Sequence, residues 1–202
     1  GSQGIIIDGT DEQKAKYLPA LASGDMIASF ALTEPDAGSD AGGLRTTARR
    51  DGNDFLLNGT KRYITNALRA DLFTVFARTS PEVKGSAGVS AFLVEAGTPG
   101  ITLGQPDRKM GQKGSHTCDV ILDNVRVPAS NIIGGPDRLN KGFKTAMKVL
   151  DRGRLHISAV CVGAAERLIR DSLSYAIERK QFGEPIAEKQ LIQPMLADSR
   201  AE

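Results

Sequence analysis

The spacing of hydrophobic and polar positions divides the chain into three regions of different periodicity. In residues 10–22, Tyr17 and Leu21 recur at helical spacing behind Thr10, a residue type that caps helix starts. Pro19 interrupts this pattern, and a proline inside a helix removes one backbone hydrogen bond. We therefore expect a short helix that ends near Tyr17 or kinks there.

The second region consists of short apolar runs separated by Gly, Asp, Asn and Pro, a texture that predicts strands. Two turns are predicted within it, at residues 51–53 and at Asn58-Gly59. No helical pattern intervenes and no GxGxxG follows a strand, so an antiparallel barrel or sandwich is favoured over a Rossmann domain. The predicted strands are Met26–Leu32, Leu44–Arg50, Asp54–Leu57, Lys61–Thr65, Leu72–Arg78, Val89–Glu95, Thr117–Leu122 and Arg126–Val127.

The third region is helical again. Phe143, Met147 and Leu150 share one face of a short helix, and a long helix follows from Leu155 to Arg179. A last helix begins near Glu188. These helices are too few to close a four-helix bundle, and the chain starts without Met and stops inside a helical pattern. We therefore expect the chain to be a fragment.

Composition and charge exclude several classes of protein. The chain has 202 residues, with 26 Lys plus Arg against 24 Asp plus Glu, a balance that argues against nucleic acid as a main partner. The two cysteines and two histidines lie far apart, which gives no zinc spacing and predicts no metal site. No apolar run is long enough for a membrane span and no signal peptide is recognisable, so a reducing, cytoplasmic location is expected.

The segment from Phe30 to Asp40 carries the first candidate chemistry. It joins an apolar strand to a loop rich in hydroxyls, small residues and acids. Small residues let backbone N–H groups approach a ligand, and Thr33 and Ser39 add neutral donors suited to phosphate or ring heteroatoms. The alternative interpretation is an ordinary surface turn with side-chain-to-backbone hydrogen bonds.

Five motifs carry a resemblance to a known family. They are TEPDAGSD at Thr33–Asp40, RYITNA at Arg62–Ala67, MGQKG at Met110–Gly114, LDRGR at Leu150–Arg154 and ERKQFG at Glu178–Gly183. In order and spacing they resemble the acyl-CoA dehydrogenase family along nearly the whole chain. One such motif is weak, whereas five in order are specific.

The resemblance implies an α+β multidomain protein. Residues 1–25 are then the end of an N-terminal helical domain, and 26–137 are a middle β domain that binds flavin and acyl-CoA. Residues 138–202 are the start of a truncated C-terminal four-helix bundle. The order of helix, strands and long helices, obtained from periodicity, agrees with this division.

The resemblance also implies which residues of the first motifs bind FAD. Phe30 lies on the family's flavin-binding strand, and Leu32 and Thr33 belong at the pyrimidine end of the isoalloxazine ring. A donor at that edge stabilises the reduced flavin, on which negative charge collects. Ser39 is expected to face both the cofactor and the CoA arm of the substrate.

A second segment of the implied flavin site is formed by Tyr63, Ile64 and Thr65. Thr65 is expected to bond near N5, the atom that accepts hydride. The family often has Trp where this chain has Tyr63, so an aromatic side chain for stacking is retained.

The helical region supplies the remaining implied contacts. In the family, the segment that matches Arg179, Gln181, Phe182 and Gln190 reaches across a dimer interface to the neighbouring subunit's FAD. The planar guanidinium of Arg179 suits a pyrophosphate. The alternative for Arg179 is a solvated residue at a helix C-terminus.

Two residues of the LDRGR motif, Asp151 and Arg154, match positions that contact the CoA portion of the substrate. On their own, they also fit a local helix-surface pair that contributes only about 0.3–0.5 kcal/mol. They complete the set of residues that the resemblance assigns to substrate.

The implied reaction is α,β-dehydrogenation of an acyl-CoA thioester, in which a carboxylate removes the α-proton and flavin N5 accepts the β-hydride. The family's base lies either far downstream, beyond Glu202, or at the position of Gly153, which has no side chain. No catalytic residue is therefore expected within this chain. Glu34 is expected to bond backbone groups in its turn rather than to act as the base.

Further expectations come from the resemblance alone. They are an acyl-CoA substrate, a homodimer or homotetramer, and an electron-transfer flavoprotein as electron acceptor. The alternatives are an acyl-CoA oxidase or a flavin monooxygenase on the same scaffold, and a non-catalytic flavin-binding or interaction protein, including the DNA-associated branch of the superfamily.

Overall fold

The computed structural model describes residues 1–202 and divides into two compact units, Gly1–Val149 and Leu150–Glu202. The first unit begins with helices α1 (Gln3–Asp8) and α2 (Asp11–Ser23). Thr10 caps α2 as predicted, because its hydroxyl accepts the Gln13 amide while the Gln13 side chain accepts the Thr10 amide.

The predicted end of this helix near Tyr17 is wrong. Helix α2 continues through Pro19 to Ser23 and ends at Gly24, which adopts the left-handed conformation common at helix C-termini. The capping box and the buried Tyr17 hold the helix before Pro19, and beyond it the Met26 amide donates to the Ala20 carbonyl, so α2 continues although Pro19 cannot make its own backbone hydrogen bond.

A seven-stranded sheet forms the body of the first unit. Strand β4 pairs with β5 along its whole length, and with β1 and the first residue of β2, Thr47, on its other edge. The β1–β4 and β2–β4 pairings are parallel and the remaining pairings are antiparallel, so the expected barrel or sandwich is a mixed sheet rather than a purely antiparallel one. The strands are β1 (Ala28–Ala31), β2 (Thr47–Asp51), β3 (Asp54–Thr65), β4 (Leu72–Arg78), β5 (Val89–Glu95), β6 (Ile101–Leu103) and β7 (Thr117–Pro128).

Two long strands replace four shorter predicted ones. The turn predicted at Asn58-Gly59 is wrong, because β3 runs through it and pairs with β7 on both sides of a register shift. The side chain of Asn58 bonds across the pair to Asn124, which has a positive φ of 51°. A turn-forming dipeptide here marks a β-bulge, in which one strand has an extra residue.

The sheet buries an apolar cluster on each face. One cluster includes Phe55, Leu57, Phe73 and Phe92 from the interior of the sheet. The other includes residues of the helical side, such as Ile5 and Tyr17 with Leu72 and Phe76. Strands β4 and β5, in which nearly every residue is buried, are therefore packed on both faces, whereas β3 and β7 alternate between buried and more exposed positions.

The second unit is helical. Helix α3 is one continuous helix, Gly142–Glu178, whose first turns lie in the first unit. It replaces the two helices predicted on either side of Leu150, because no proline separates them and the helix continues through Asp151 and Gly153. A two-stranded hairpin follows, β8 (Lys180–Gln181) and β9 (Glu184–Pro185), and α4 (Ile192–Ala201) begins a few residues after the predicted Glu188.

Many large apolar side chains of the second unit are exposed to solvent. No helix in the structure combines the length and the apolar character that crossing a bilayer requires. The exposed apolar residues are Leu155, Ile157, Val160, Val162, Leu168, Leu173, Tyr175, Ile177, Phe182, Leu191 and Met195.

Candidate functional site

The end of β1 and the end of β3 lie side by side in the first unit. The Lys61 ammonium donates to the Leu32 carbonyl at 3.1 Å, and the Arg62 amide donates to the Thr33 carbonyl at 2.8 Å. Strand β1 pairs only with β4, so the edge that it turns toward β3 is not part of a ladder. The structure therefore brings together the two segments that the sequence analysis assigned to one ligand.

A bulge near the end of β3 decides which side chains face outward. Lys61 pairs with Val120 and Ile64 with Cys118, so three steps on β3 oppose two on β7. Tyr63, the residue pushed out of the ladder, has a left-handed φ of 58° and a side chain that is 58% exposed. Because of this extra residue, Lys61 and Ile64 are both buried.

The predicted site residues of this region differ in how they can contact a ligand. The side chains of Leu32 and Ile64 are buried in the apolar clusters, so these residues present only their backbones. Phe30 is half-buried, with its ring 5.0 Å from that of Phe76. Thr33 is half-buried, and three further predicted residues are exposed. These are Ser39, Tyr63 and Thr65.

Hydrogen-bond donors at this edge are left over for a ligand. The carbonyl oxygens of Leu32 and Thr33 both accept hydrogen bonds, whereas neither of their amide N–H groups donates one within the chain. The hydroxyls of Thr33, Ser39 and Thr65 also lack partners in the chain. A set of amide and hydroxyl donors beside an exposed aromatic ring suits a planar heterocycle with carbonyl and nitrogen acceptors, and the pyrimidine part of a flavin is one.

A buried ion pair lies directly beneath this edge. The Lys61 Nζ atom is 2.7 Å from Glu34 Oε1, and both side chains are almost completely excluded from solvent. Glu34 also accepts the backbone amides of Arg45 at 2.6 Å and Thr46 at 3.0 Å. The prediction that Glu34 bonds backbone groups is confirmed, and both of its carboxylate oxygens accept hydrogen bonds.

Burial and pairing oppose each other in this ion pair. Burial lowers the pKa of the Lys61 ammonium to about 8, against the attraction of Glu34. Burial by itself raises the pKa of Glu34, but the Lys61 charge and the hydrogen bonds from Lys61, Thr46 and Arg45 outweigh it and hold that pKa below its usual value. Both groups are therefore charged at neutral pH.

A cation also holds the exposed ring of Tyr63. The Arg62 guanidinium lies 4.8 Å from the centre of that ring and pairs with Asp119 at 2.8 Å. A guanidinium fixed by a carboxylate restricts the positions that the ring can adopt. The aromatic side chain at the bulge is thus supported from one side.

In the second unit, the predicted cofactor residues are solvent-exposed. Phe182 and Gly183 form the two-residue turn between β8 and β9, with positive φ at both positions as a type I′ turn requires. The Phe182 ring is 96% exposed at the tip of this hairpin. Arg179 and Gln190 are exposed as well, and the side-chain amide of Gln181 donates to the neighbouring Lys180 carbonyl.

The predicted substrate residues on α3 pair with each other. Arg154 donates to Asp151 one helical turn earlier, which is the local helix-surface pair given above as the alternative. Gly153 lies between them and carries no side chain that could remove a proton. The two charges are well exposed and remain accessible from solvent.

Lys61, which forms the buried ion pair of this region, is not among the site residues predicted from the sequence. Its signal was present in the alternation of β3, since Phe55, Leu57 and Lys61 occupy positions of one parity and the first two point inward. A lysine at an inward position needs a buried partner, and the acid Glu34 stood in the neighbouring motif. If the strand alternation is continued through Asn58-Gly59, it predicts that Lys61 points inward and that it needs an acidic partner such as Glu34.

The first unit and the helical region both match known domain families. Residues 29–125 match the model described as "Acyl-CoA dehydrogenase, middle domain", and residues 140–202 match the model described as "Acyl-CoA dehydrogenase, C-terminal domain". The two models follow each other along the chain in the order of the five motifs. Together they account for most of the sequence.

Individual relatives agree with the domain matches. An acyl-CoA dehydrogenase of Bacillus subtilis (strain 168) is 48% identical over 204 residues, which cover 100% of this chain and 53% of that protein. The solved structure of butyryl-CoA dehydrogenase from Megasphaera elsdenii is 42% identical with a TM-score of 0.91, covering 98% of this chain and 51% of that one. A glutaryl-CoA dehydrogenase from Mycobacterium smegmatis in complex with FADH2 has 40% identity and a TM-score of 0.84, covering 96% and 48%. The chain thus spans about half the length of the relatives it matches.

Proposed function

The chain belongs to the acyl-CoA dehydrogenase family, and from that premise we propose that it forms the flavin-binding β domain and the first helices of an enzyme that α,β-dehydrogenates an acyl-CoA thioester. The proposed domains are 1–25, 26–137 and 138–202. The relatives support the family of the reaction, and its direction is part of the proposal. The assignment of residues where β1 meets β3 is supported by the contacts of the first unit, and the assignments in the helical region come from the family.

The observation that carries the proposal is the unpartnered set of donors where β1 and β3 meet. The N–H groups of Leu32 and Thr33 and the hydroxyls of Thr33 and Thr65 point to no acceptor within the chain. They lie on a rigid base of buried strands, beside the exposed ring of Tyr63. A flavin ring offers acceptors for these donors and a face for the aromatic side chain.

When bound, FAD supplies the ring that accepts the electrons of the oxidation. The role proposed for Thr33 is to donate toward the edge on which negative charge collects, and the role proposed for Thr65 is to donate near the reacting atom. Ser39 contacts cofactor and substrate. Proposed contacts from the helical region are Arg179, Gln181, Phe182 and Gln190 to FAD, and Asp151 and Arg154 to the CoA arm.

No catalytic base is assigned within residues 1–202. Glu34 holds Lys61 and two backbone amides, and removing a substrate proton requires a carboxylate that can approach the substrate. Gly153 has no side chain. We propose that the base comes from sequence beyond Glu202.

The remaining parts of the proposal follow from the family. The partners are an acyl-CoA substrate, a second copy of the chain in a homodimer or homotetramer, and an electron-transfer flavoprotein as acceptor. The proposed location is the cytoplasm.

The test is a titration of the purified chain with FAD, in which binding is measured by the quenching of flavin fluorescence and by the change of the visible absorption band. We expect saturable binding that Thr33→Ala and Thr65→Ala each weaken by about five- to tenfold, as the loss of one hydrogen bond predicts. Thr102→Ala removes an exposed threonine of β6 and serves as the control with unchanged affinity. Equal affinities in all four proteins would overturn the site.

A second measurement separates binding from chemistry. An anaerobic visible spectrum of the FAD-loaded chain is recorded during addition of a medium-chain acyl-CoA. We expect a flavin band that does not bleach, because residues 1–202 supply no base. Bleaching would show that a base is present within residues 1–202 and would contradict the proposal that the base lies beyond Glu202.

A further inference from the structure

Lys61 is the only lysine whose side chain is completely buried, and none of the roles proposed above uses it. An ammonium is costly to bury unless it is paired and hydrogen-bonded. Glu34 pairs with it at 2.7 Å, and the Leu32 carbonyl accepts a second bond at 3.1 Å. This second bond joins the ion pair to the backbone of Leu32 and Thr33, where β1 meets β3, which we call the candidate flavin edge.

The bond to the Leu32 carbonyl fixes one peptide plane. No peptide bond of the chain is cis, so the carbonyl of Leu32 and the N–H of Thr33 point in opposite directions across their shared plane. When Lys61 holds the carbonyl inward, the Thr33 N–H is turned outward. That N–H is one of the two backbone donors left without a partner.

The next peptide plane is fixed in a different way. The Thr33 carbonyl accepts from the Arg62 backbone amide, and the Glu34 N–H on the other side of that plane donates to Ala37 at 3.0 Å. Backbone groups hold this second plane by themselves. A side chain is required only for the first plane, the one that carries the free donor.

We propose that Lys61 is a positioning residue of the flavin site, which, held by Glu34, fixes the Leu32–Thr33 peptide plane and directs the Thr33 N–H at an acceptor atom of the bound flavin ring. The inference rests on the proposed function, because it needs a flavin at this edge. Lys61 itself does not touch the cofactor, since the peptide lies between them.

This role has a consequence beyond affinity. Reduction of flavin places negative charge on the pyrimidine edge, so a donor fixed toward that edge binds the reduced form more tightly than the oxidised form. Releasing the peptide plane weakens the reduced complex more than the oxidised one. The reduction potential of the bound flavin therefore falls, which a loss of stability alone does not cause.

The test compares Lys61→Met and the double variant Glu34→Gln/Lys61→Met with the wild type. Methionine keeps the side-chain length and removes the donor, and the double variant also removes the carboxylate that the single one leaves unpaired. Gln13→Met is the matched control, because Gln13 is also buried in the first unit and bonds three backbone groups around residues 130–134. FAD affinity and the potential of the bound flavin are measured for each.

We expect both Lys61 variants to bind oxidised FAD at least tenfold more weakly than the wild type. Reduced FAD loses a further tenfold, which corresponds to a fall of about 30 mV for a two-electron couple. Gln13→Met lowers the unfolding midpoint and leaves affinity and potential unchanged.

Other outcomes overturn the inference in distinguishable ways. Wild-type affinity and potential in both Lys61 variants remove the positioning role and leave the flavin site intact. A loss of affinity at constant potential makes Lys61 a purely structural residue. Absence of FAD binding by the wild type removes the proposed function and the inference together.

Discussion

The two units hold their predicted site residues in different ways. Where β1 meets β3, a buried ion pair and backbone hydrogen bonds fix the residues, and β4, the strand paired with β1, is buried on both faces. In the second unit, Arg179, Phe182 and Gln190 are exposed, and most apolar positions of α3 are exposed with them. The chain thus fixes the proposed flavin-binding residues of its first unit by its own contacts, and leaves those proposed in its second unit on a surface that its own residues do not cover.

The difference shows which functional assignments the fold can support. Donor directions at the flavin edge follow from contacts within the first unit and are testable on this chain alone. The contacts of the helical unit depend on what lies against that surface. Four predictions probe this contrast, from the largest expected effect to the smallest.

The largest effect is expected in the core of the sheet. Phe92 is fully buried with its ring 5.3 Å from that of Phe55, so Phe92→Ala should lower the free energy of unfolding by about 3–5 kcal/mol. Leu168→Ala, at a position of α3 that is 66% exposed, should change it by less than about 0.5 kcal/mol. Denaturant unfolding measures both. A large loss for Leu168→Ala would mean that another copy or molecule covers this face in solution.

The buried carboxylate should matter nearly as much as the core. Glu34→Gln leaves the Lys61 ammonium buried without a counter-charge, and we expect a loss of about 3–5 kcal/mol in the free energy of unfolding. The matched control is Asp36→Asn in the same loop, which breaks an exposed pair with Arg45 and should cost less than about 1 kcal/mol. Equal losses for the two variants would contradict the burial of the pair.

The pH dependence of stability should show the sign of the Lys61 shift. Burial lowers the pKa of Lys61 to about 8 in the folded chain, from 10.5 in the unfolded one, so the unfolded chain binds more protons between these values. The free energy of unfolding of the wild type, relative to Lys61→Met, should therefore rise by roughly 1–3 kcal/mol between pH 8 and 10.5.

The control for this pH series is Lys16→Met. Pairing with Glu95 raises the pKa of Lys16, so its contribution is fully present below pH 10.5 and is lost only above it. The difference between the wild type and this variant should stay flat from pH 8 to 10. A relative stability of Lys61→Met that also stays flat would contradict the lowered pKa.

The smallest effect concerns how helices begin in the two units. Thr10→Ala removes the reciprocal cap of α2 and should cost about 1 kcal/mol, as for other N-cap threonines. Leu191 precedes α4 without a side-chain cap and is 76% exposed, so Leu191→Ala should change stability by less than about 0.5 kcal/mol. Thermal unfolding of the two variants compares the two helix starts. The reverse order of losses would be inconsistent with this capping pattern.

Much of the fold could be predicted from local pattern. The bounds of β4 and β5 agree with the predicted Leu72–Arg78 and Val89–Glu95, because mainly apolar runs between turn residues leave few alternatives. The turn predicted at Asn58-Gly59 failed because the same residues that tolerate positive φ also form bulges. Which of the two forms is decided by the partner strand β7, which lies far away in the sequence.

The candidate site was predictable only in part. The motifs around Thr33 and Thr65 indicated two segments of one site, and the structure brings these segments together. Their neighbourhood depends on a bond between Lys61 and the Leu32 carbonyl, across 29 residues of sequence. At the start of α3, Thr145 and Lys148 bond Asp8 across 137 and 140 residues of sequence. The hydrogen bond between Asp151 and Arg154 is local, and the break predicted at Leu150 was wrong because local periodicity alone was available there.

The burial of Lys61 also makes the acylation rate of its amine a measure of how often the surrounding structure opens. An acylating reagent modifies exposed lysines directly. It reaches the Lys61 amine only while the region where β1 meets β3 is open. The rate at which a peptide containing acylated Lys61 accumulates in a mass spectrum thus counts opening events of the candidate flavin edge. A ligand that closes this edge lowers the acylation rate of Lys61, whatever the ligand's own absorbance or chemistry.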